Sequence, residues 1–357
     1  MNIMVDIGHP KHVHVFKNMI FNLRDKGHKV KITAKNKEIT FRLLDAYNLE
    51  YESVGRYKIS MVNKAIDIPK INIKLLKIAK TFKPDIFISK GSPYAAQVSR
   101  LVRKPHIAFK DTEHANLTDW LTLPFTDTIC TPSCFKKKID SKKHVKFNGY
   151  FELAYLHPNY FKPDPSILDE LGLNKDDKFI ILRFVSWSAS HDIGDRGFLN
   201  IKDIVGFFER DSRVLITSER RLPSELEKYK ITVSPEKIHH LLYFANLYTG
   251  ESATMATESA ILGTPSIFVS TSRRGYTDEL ESKYDLVYTF SDPKTMQKYA
   301  LEKALELLKN EDLKNEWRKK RMKMLSEKID VTKFMTNFIE NYPESFYEYK
   351  REGKIIT

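Results

Sequence analysis

Two cysteines in 357 residues leave no room for a disulfide framework, so a reducing, cytoplasmic setting is the expectation. No apolar run approaches the roughly 18–20 residues that a membrane span needs. The opening MNIMVDIGHPKH lacks the charged start and long apolar stretch of a signal peptide and reads as a strand. The common nucleotide fingerprints are missing as well: there is no Walker loop and no G-x-G-x-x-G after a strand. No two aspartates flank a single residue, so no paired-aspartate metal clamp for a diphosphate is evident. A nucleotide, if bound, must be held by another arrangement.

Hydrophobic residues at 41% are enough for packed cores and exclude a disordered chain. At roughly 150 residues per domain the length indicates two domains. The formal charge of +13 is unevenly placed. Residues 1–150 hold 28 Lys and Arg against 13 Asp and Glu, a net of +15, and residues 151–357 hold 31 against 33, a net of −2. Either the first part faces something anionic, or its lysines are a solvated surface.

Apolar strands alternate with helical spacing throughout. In the first half NIMVDI, KVKIT, PDIFISKG, PHIAF, DTICTPS and KFNGY read as strands. A helix is expected over Val15–Lys26, after the loop GHPKHVH. Ile71, Leu75, Ile78 and Phe82 share one helical face, with Lys70, Lys74 and Lys77 on another. The proline-rich HPNYFKPDPS marks a linker, after which FIILRFV, RVLITS, ITVS, NLYTG and PSIFV restart the strand pattern. The expected fold class is α/β, with two doubly wound Rossmann-like domains, residues 1–160 and 161–330, facing a central cleft, and residues 331–357 returning to the first.

Chemistry-bearing residues gather where these strands end. GHPKHVH places His9, His12 and His14 after the first strand, and KDTEHANLTDW places Asp111, Glu113 and His114 after PHIAF. A neutral imidazole can take a hydroxyl proton near neutral pH, and the acids can do the same or cap a helix. His-x-His also suggests metal, but no third ligand lies nearby in sequence. In FIILRFVSWSASHD, Arg183 inside an apolar strand needs an anionic partner. Ser186, Ser188 and Ser190 could donate to a diphosphate, Trp187 could stack on a base, and His191 with Asp192 could form an orienting pair. NLYTGESATMATESAILGTPSIFV reads strand, polar turn, helix, Gly-x-Pro, strand. Ser252, Ala253 and Thr254 stand at the helix start, where backbone N–H groups attract phosphate, and Glu258 lies one turn in, within reach of a ribose. Arg273 follows the next strand, as a phosphate ligand or a solvated charge. Cys130 and Cys134 read as ordinary buried thiols.

Glu258, Gly263 and Pro265 resemble, in spacing, the donor-nucleotide segment of GT-B glycosyltransferases such as the lipid II-forming N-acetylglucosaminyltransferase, and of the non-hydrolysing UDP-N-acetylglucosamine 2-epimerases. GHPKHVH, DTEHA, RFVSWSASHD and ESATMATESAILGTPSIFVS together look like the domain-of-unknown-function family 354, grouped with GT-B proteins. The resemblance implies that Glu258 binds ribose and that the segment from Glu251 to Thr254 faces the diphosphate. It sets His12 where the transferase has its loop histidine, as general base or acceptor ligand. Glu113 is similar in place to the glutamate of the epimerases' His-x-Glu-Ala-Gly motif, and Asp111 stands where that motif has histidine.

The expectation is a GT-B-type glycosyltransferase moving a sugar from a nucleotide-sugar donor, UDP-linked, to a surface-glycan or lipid-linked acceptor. Its catalytic residues would come from His9, His12, His14, Asp111 and Glu113. Its nucleotide ligands would be Arg183, Ser186, Trp187, Ser188, Glu251, Ser252, Ala253, Thr254, Glu258 and Arg273. No metal and no cofactor is expected, the nucleotide sugar being a substrate. The alternatives are a nucleotide-sugar 2-epimerase and a non-catalytic, basic module that binds glycan or lipid headgroups. The Lys136–Lys138 cluster has no stacking aromatics beside it, so nucleic acid is not an expected partner. An anionic membrane surface suits it better, with the protein peripheral on the inner face of the cell membrane.

Overall fold

IFIS, HIAF, TICTP, LYTG and SIFV are buried at every position, as strands covered on both faces must be. The computed structural model describes residues 1–37, 39–56, 61–174, 176–186 and 196–357. The chain forms two compact units, Met1–Tyr155 with Lys328–Thr357, and Leu156–Glu327.

The first unit holds seven strands: β1 (Asn2–Ile7), β2 (Lys29–Asn36), β3 (Tyr51–Arg56), β4 (Ile86–Ser89), β5 (His106–Phe109), β6 (Thr128–Pro132) and β7 (His144–Phe147). All pair in parallel, in the order β3-β2-β1-β4-β5-β6-β7. The order reverses between β1 and β4, so their carboxyl ends flank the place where such sheets hold ligands. The helix Met61–Phe82 buries Ile71, Leu75 and Ile78 against Met4, Phe87, Ala95 and Val98. Near the chain end, the helix Val331–Glu340 packs on the helix Pro10–Asp25. There Thr332 donates to the Ala154 carbonyl at 2.7 Å, and Phe334 lies 5.0 Å from the Phe147 ring.

The second unit holds β8 (Phe179–Phe184), β9 (Arg213–Ser218), β10 (Leu247–Gly250), β11 (Ser266–Val269) and β12 (Val287–Phe290). They too are parallel, ordered β12-β11-β10-β8-β9, with the reversal between β8 and β10.

Three sequence expectations change. The first helix begins at Pro10, not Val15, because Pro10 takes the first helical position with its φ already set and His9 caps the start. ITVS is not a strand: an isolated Ile216–Lys230 bridge to β9 precedes it, and Pro235 then turns the chain into a short helix. Strands β3 and β12 were not expected. YESVGR is polar and interrupted by glycine, and the sheet edge it occupies demands little apolar surface.

Candidate functional site

Each sheet carries a cluster of charged side chains at its order reversal. In the first, His9 adopts extended backbone as the helix cap, and its Nδ1 accepts from the Lys11 backbone N–H at 3.1 Å. His12, in the first turn, accepts at Nδ1 from the Gly8 N–H at 3.3 Å. His14 does not join them. Two residues on is about 200° around a helix, so His14 turns into the core, stacks on Tyr155 at 5.3 Å and meets the Tyr47 hydroxyl at 3.1 Å. The structure thus sets His14 in the packing beneath the helix, apart from His9 and His12.

Lys11, between the histidines, is the hub. Its Nζ lies 2.9 Å from Asp111 Oδ2 and 2.7 Å from Glu152 Oε1. Lys90, the residue after β4, reaches the same Asp111 oxygen at 3.0 Å and sits 3.5 Å over the Phe151 ring. The side chains of Asp111, Lys90 and Glu152 are all buried. Burial alone would raise the Asp111 pKa, but Lys11 and Lys90 outweigh it and hold the carboxyl well below its usual range. Burial pulls Lys90 down to about 8, against the pull of Asp111. His12 is held well below its ordinary value, first by burial and then by Lys90. Glu113 turns elsewhere, its Oε1 accepting from the Lys136 N–H at 2.7 Å, and His114 is exposed.

In the second unit Arg183, at the end of β8, pairs with Glu219, which follows β9, and the Ser186 N–H and hydroxyl reach the other Glu219 oxygen at 3.3 Å. Glu251, just after β10, is 3% exposed and both of its oxygens are occupied. Oε2 accepts from the Val185 N–H at 2.8 Å, and Oε1 accepts from the Phe198 N–H at 2.8 Å and from Arg220 at 3.0 Å. A side chain at Gly197 would strike this carboxylate, so the glycine is required by close approach. Glu251 thus clasps backbone on both flanks of the segment 187–195; the expected ligands Trp187 and Ser188, and with them Ser190, His191 and Asp192, lie outside the described residues.

The helix Ala253–Leu262 starts at Ser252, whose hydroxyl caps the Met255 N–H at 3.3 Å. Ala253 and Thr254 occupy the first two helical positions, where backbone N–H groups have no partner within the helix. Gly263 ends it at φ +87°, a left-handed cap. Glu258 is buried, and its Oε1 lies 3.0 Å from His239 Nε2. Arg273 pairs with Asp278 at 2.7 Å and with Glu281. Among the described residues no three of His, Cys, Asp and Glu gather around one point as a metal would require.

Lys11, Lys90, Glu152, Glu219, Arg220 and His239 were not singled out from the sequence. For the first five the available signal was position, since each lies shortly after a strand end.

A family model described as a protein of unknown function (DUF354) matches residues 1–344. The uncharacterized protein MJ0665 of Methanocaldococcus jannaschii is 26% identical over 278 residues, covering 75% of this chain and 81% of its own. Among solved structures, the UDP-GlcNAc 2-epimerase of Neisseria meningitidis bound to UDP-GlcNAc superposes with a TM-score of 0.67 at 12% identity, covering 95% of this chain and 99% of the other. The spinosyn rhamnosyltransferase SpnG with its aglycone gives 0.62 at 12% identity, covering 96% and 100%. The fold is the one that GT-B glycosyltransferases and UDP-GlcNAc 2-epimerases share.

Proposed function

We propose that this chain, which belongs to the DUF354 family, is a GT-B-type glycosyltransferase whose second unit binds a nucleotide-sugar diphosphate and whose first unit binds the acceptor. The observation that carries the reading is the reversal between β8 and β10. There a ten-residue helix presents the Ala253 and Thr254 N–H groups, with the guanidinium groups of Arg183 and Arg220 on the neighbouring strand ends. Such a set stabilises the charge that develops on a leaving diphosphate without needing a metal. Arg183 and Arg220 are paired to Glu219 and Glu251, so an incoming diphosphate competes with carboxylates already in place.

A nucleotide-sugar 2-epimerase is the second reading, favoured by the density of ionisable groups in the first unit. Epimerisation needs an acid and a base on both sides of one carbon, whereas Asp111 is locked between two lysines. That weighs toward transfer. The acceptor side is proposed to rest on an anionic bilayer, supported by the charge of the first unit: 33 Lys and Arg against 19 Asp and Glu, a net of +14.

Thermal-shift measurements against nucleotides and nucleotide sugars test the assignment. Stabilisation by a nucleoside diphosphate is expected; stabilisation by polyanions only would replace it with a binding module. UDP-N-acetylglucosamine incubated alone and followed by NMR separates the two enzymes, since epimerisation needs no acceptor.

A further inference from the structure

We infer that His12 is a fixed hydrogen-bond donor, offering Nε2–H to a substrate oxygen, and is not the proton-accepting base of the first unit. The identity of that oxygen rests on the transferase or epimerase reading; the state of the ring does not. Gly8 follows β1 directly, and its backbone N–H points at His12 Nδ1 from 3.3 Å. A backbone N–H can only donate, so Nδ1 carries the lone pair and a neutral ring must hold its proton on Nε2. The one lone pair able to take a proton is therefore already engaged. Among the described residues no hydrogen bond reaches Nε2.

The charges that face the ring come from several elements: Lys90 after β4, Lys37 after β2, Lys11 from its own helix and Asp111 after β5. Burial opposes a charged imidazole most, the three cations add to that opposition, and one carboxylate favours the charge. His9 repeats the arrangement, with Nδ1 accepting from the Lys11 N–H at 3.1 Å and its ring 5.8 Å from that of His12. Neither Nδ1 is left to bind a metal, and an Nε2 that carries the proton cannot bind one either. Asp111, held ionised by two lysines, is a weak proton acceptor too. The start of this helix is thus arranged to hold an oxygen in place.

Nitrogen-15 imidazole spectra of the full-length protein test this without any substrate. His12→Gln assigns the His12 signals, and His12→Asn gives a second, independent assignment. The expected result is a neutral ring protonated on Nε2, with no titration between about pH 6 and about pH 8. A ring protonated on Nδ1, or an imidazolium forming near its ordinary pH, overturns the inference. If no nucleotide binds, the reading of function fails while the spectrum still decides the ring.

Discussion

His106 shows how far one side chain can be taken from its solution chemistry. It is fully buried, with Nε2 2.9 Å from the Ser89 hydroxyl and Nδ1 3.0 Å from that of Thr126, and burial pulls its pKa down to about 3. The unfolded chain binds this proton near pH 6.5 and the fold does not. Its share of stability is therefore complete above about 6.5 and falls by about 1.4 kcal/mol per pH unit below that, until the folded value is reached. Urea unfolding followed from neutral to acid should give His106→Leu a shallower pH dependence than the parent, by about one proton; equal slopes would refute neutral burial. Glu251 makes a different demand. Glu251→Gln turns one acceptor into a donor facing a buried N–H, and a loss of about 3 kcal/mol is expected in chemical denaturation. At His12 the inferred donor role predicts that Gln, which keeps an N–H near Nε2, retains most turnover, while Ala loses at least about tenfold.

Helix ends, more than helix interiors, decide where the chemistry sits. Pro10 starts its helix so early that His12 and His14 fall on opposite sides of it, which a loop reading of GHPKHVH could not separate. Two glycines make a paired test with opposite signs. Gly263 has φ +87°, and an added Cβ would lie 2.9 Å from Arg321 Cδ, so Gly263→Ala should cost at least about 1 kcal/mol. Gly206 is exposed within the helix Ile201–Phe208 and has open space around it. Gly206→Ala should therefore stabilise by about 0.5–1 kcal/mol. Thermal melts of both variants settle the comparison; a destabilised Gly206→Ala would show that the helix is held in a strained form.

The uneven charge is a property of the whole molecule. The second unit holds 26 Lys and Arg against 27 Asp and Glu, so the basic excess lies in the first. There the helices Met61–Phe82, Pro93–Leu101 and Asn116–Thr122 are tied by Gln97, which accepts from Asn72 at 2.7 Å and donates to the Leu121 carbonyl at 3.1 Å. The core takes the apolar side of the first of these helices, which leaves Lys70, Lys74 and Lys77 exposed. Leu117 and Trp120, at 52% and 73% exposure, stand on the last. Among the described residues no helix is long and apolar enough to cross a membrane. Peripheral attachment would draw on about 1 kcal/mol per lysine near an anionic surface, screened by salt. Sedimentation with anionic vesicles at low salt should retain the parent and release a variant with Lys70, Lys74 and Lys77 changed to Glu. Equal behaviour of the two would leave these lysines as solvation alone.

Periodicity was enough to read an α/β chain of two parallel sheets, because apolar runs of four to six residues flanked by turns leave few other packings, and order along the chain was enough to find the loops at strand ends. The helix start at Ser252 and the cap at Gly263 were legible for the same local reason. What local pattern could not contain is partnership at long range. Asp111 becomes a locked anion only because Lys11 and Lys90 arrive from different strand ends. Glu251 looks like a ligand in ESAT, but folding brings it the Val185 and Phe198 N–H groups. Which acids, bases and cations remain available for chemistry is a matter of who pairs with whom across a sheet, and only the tertiary structure brings those partners together.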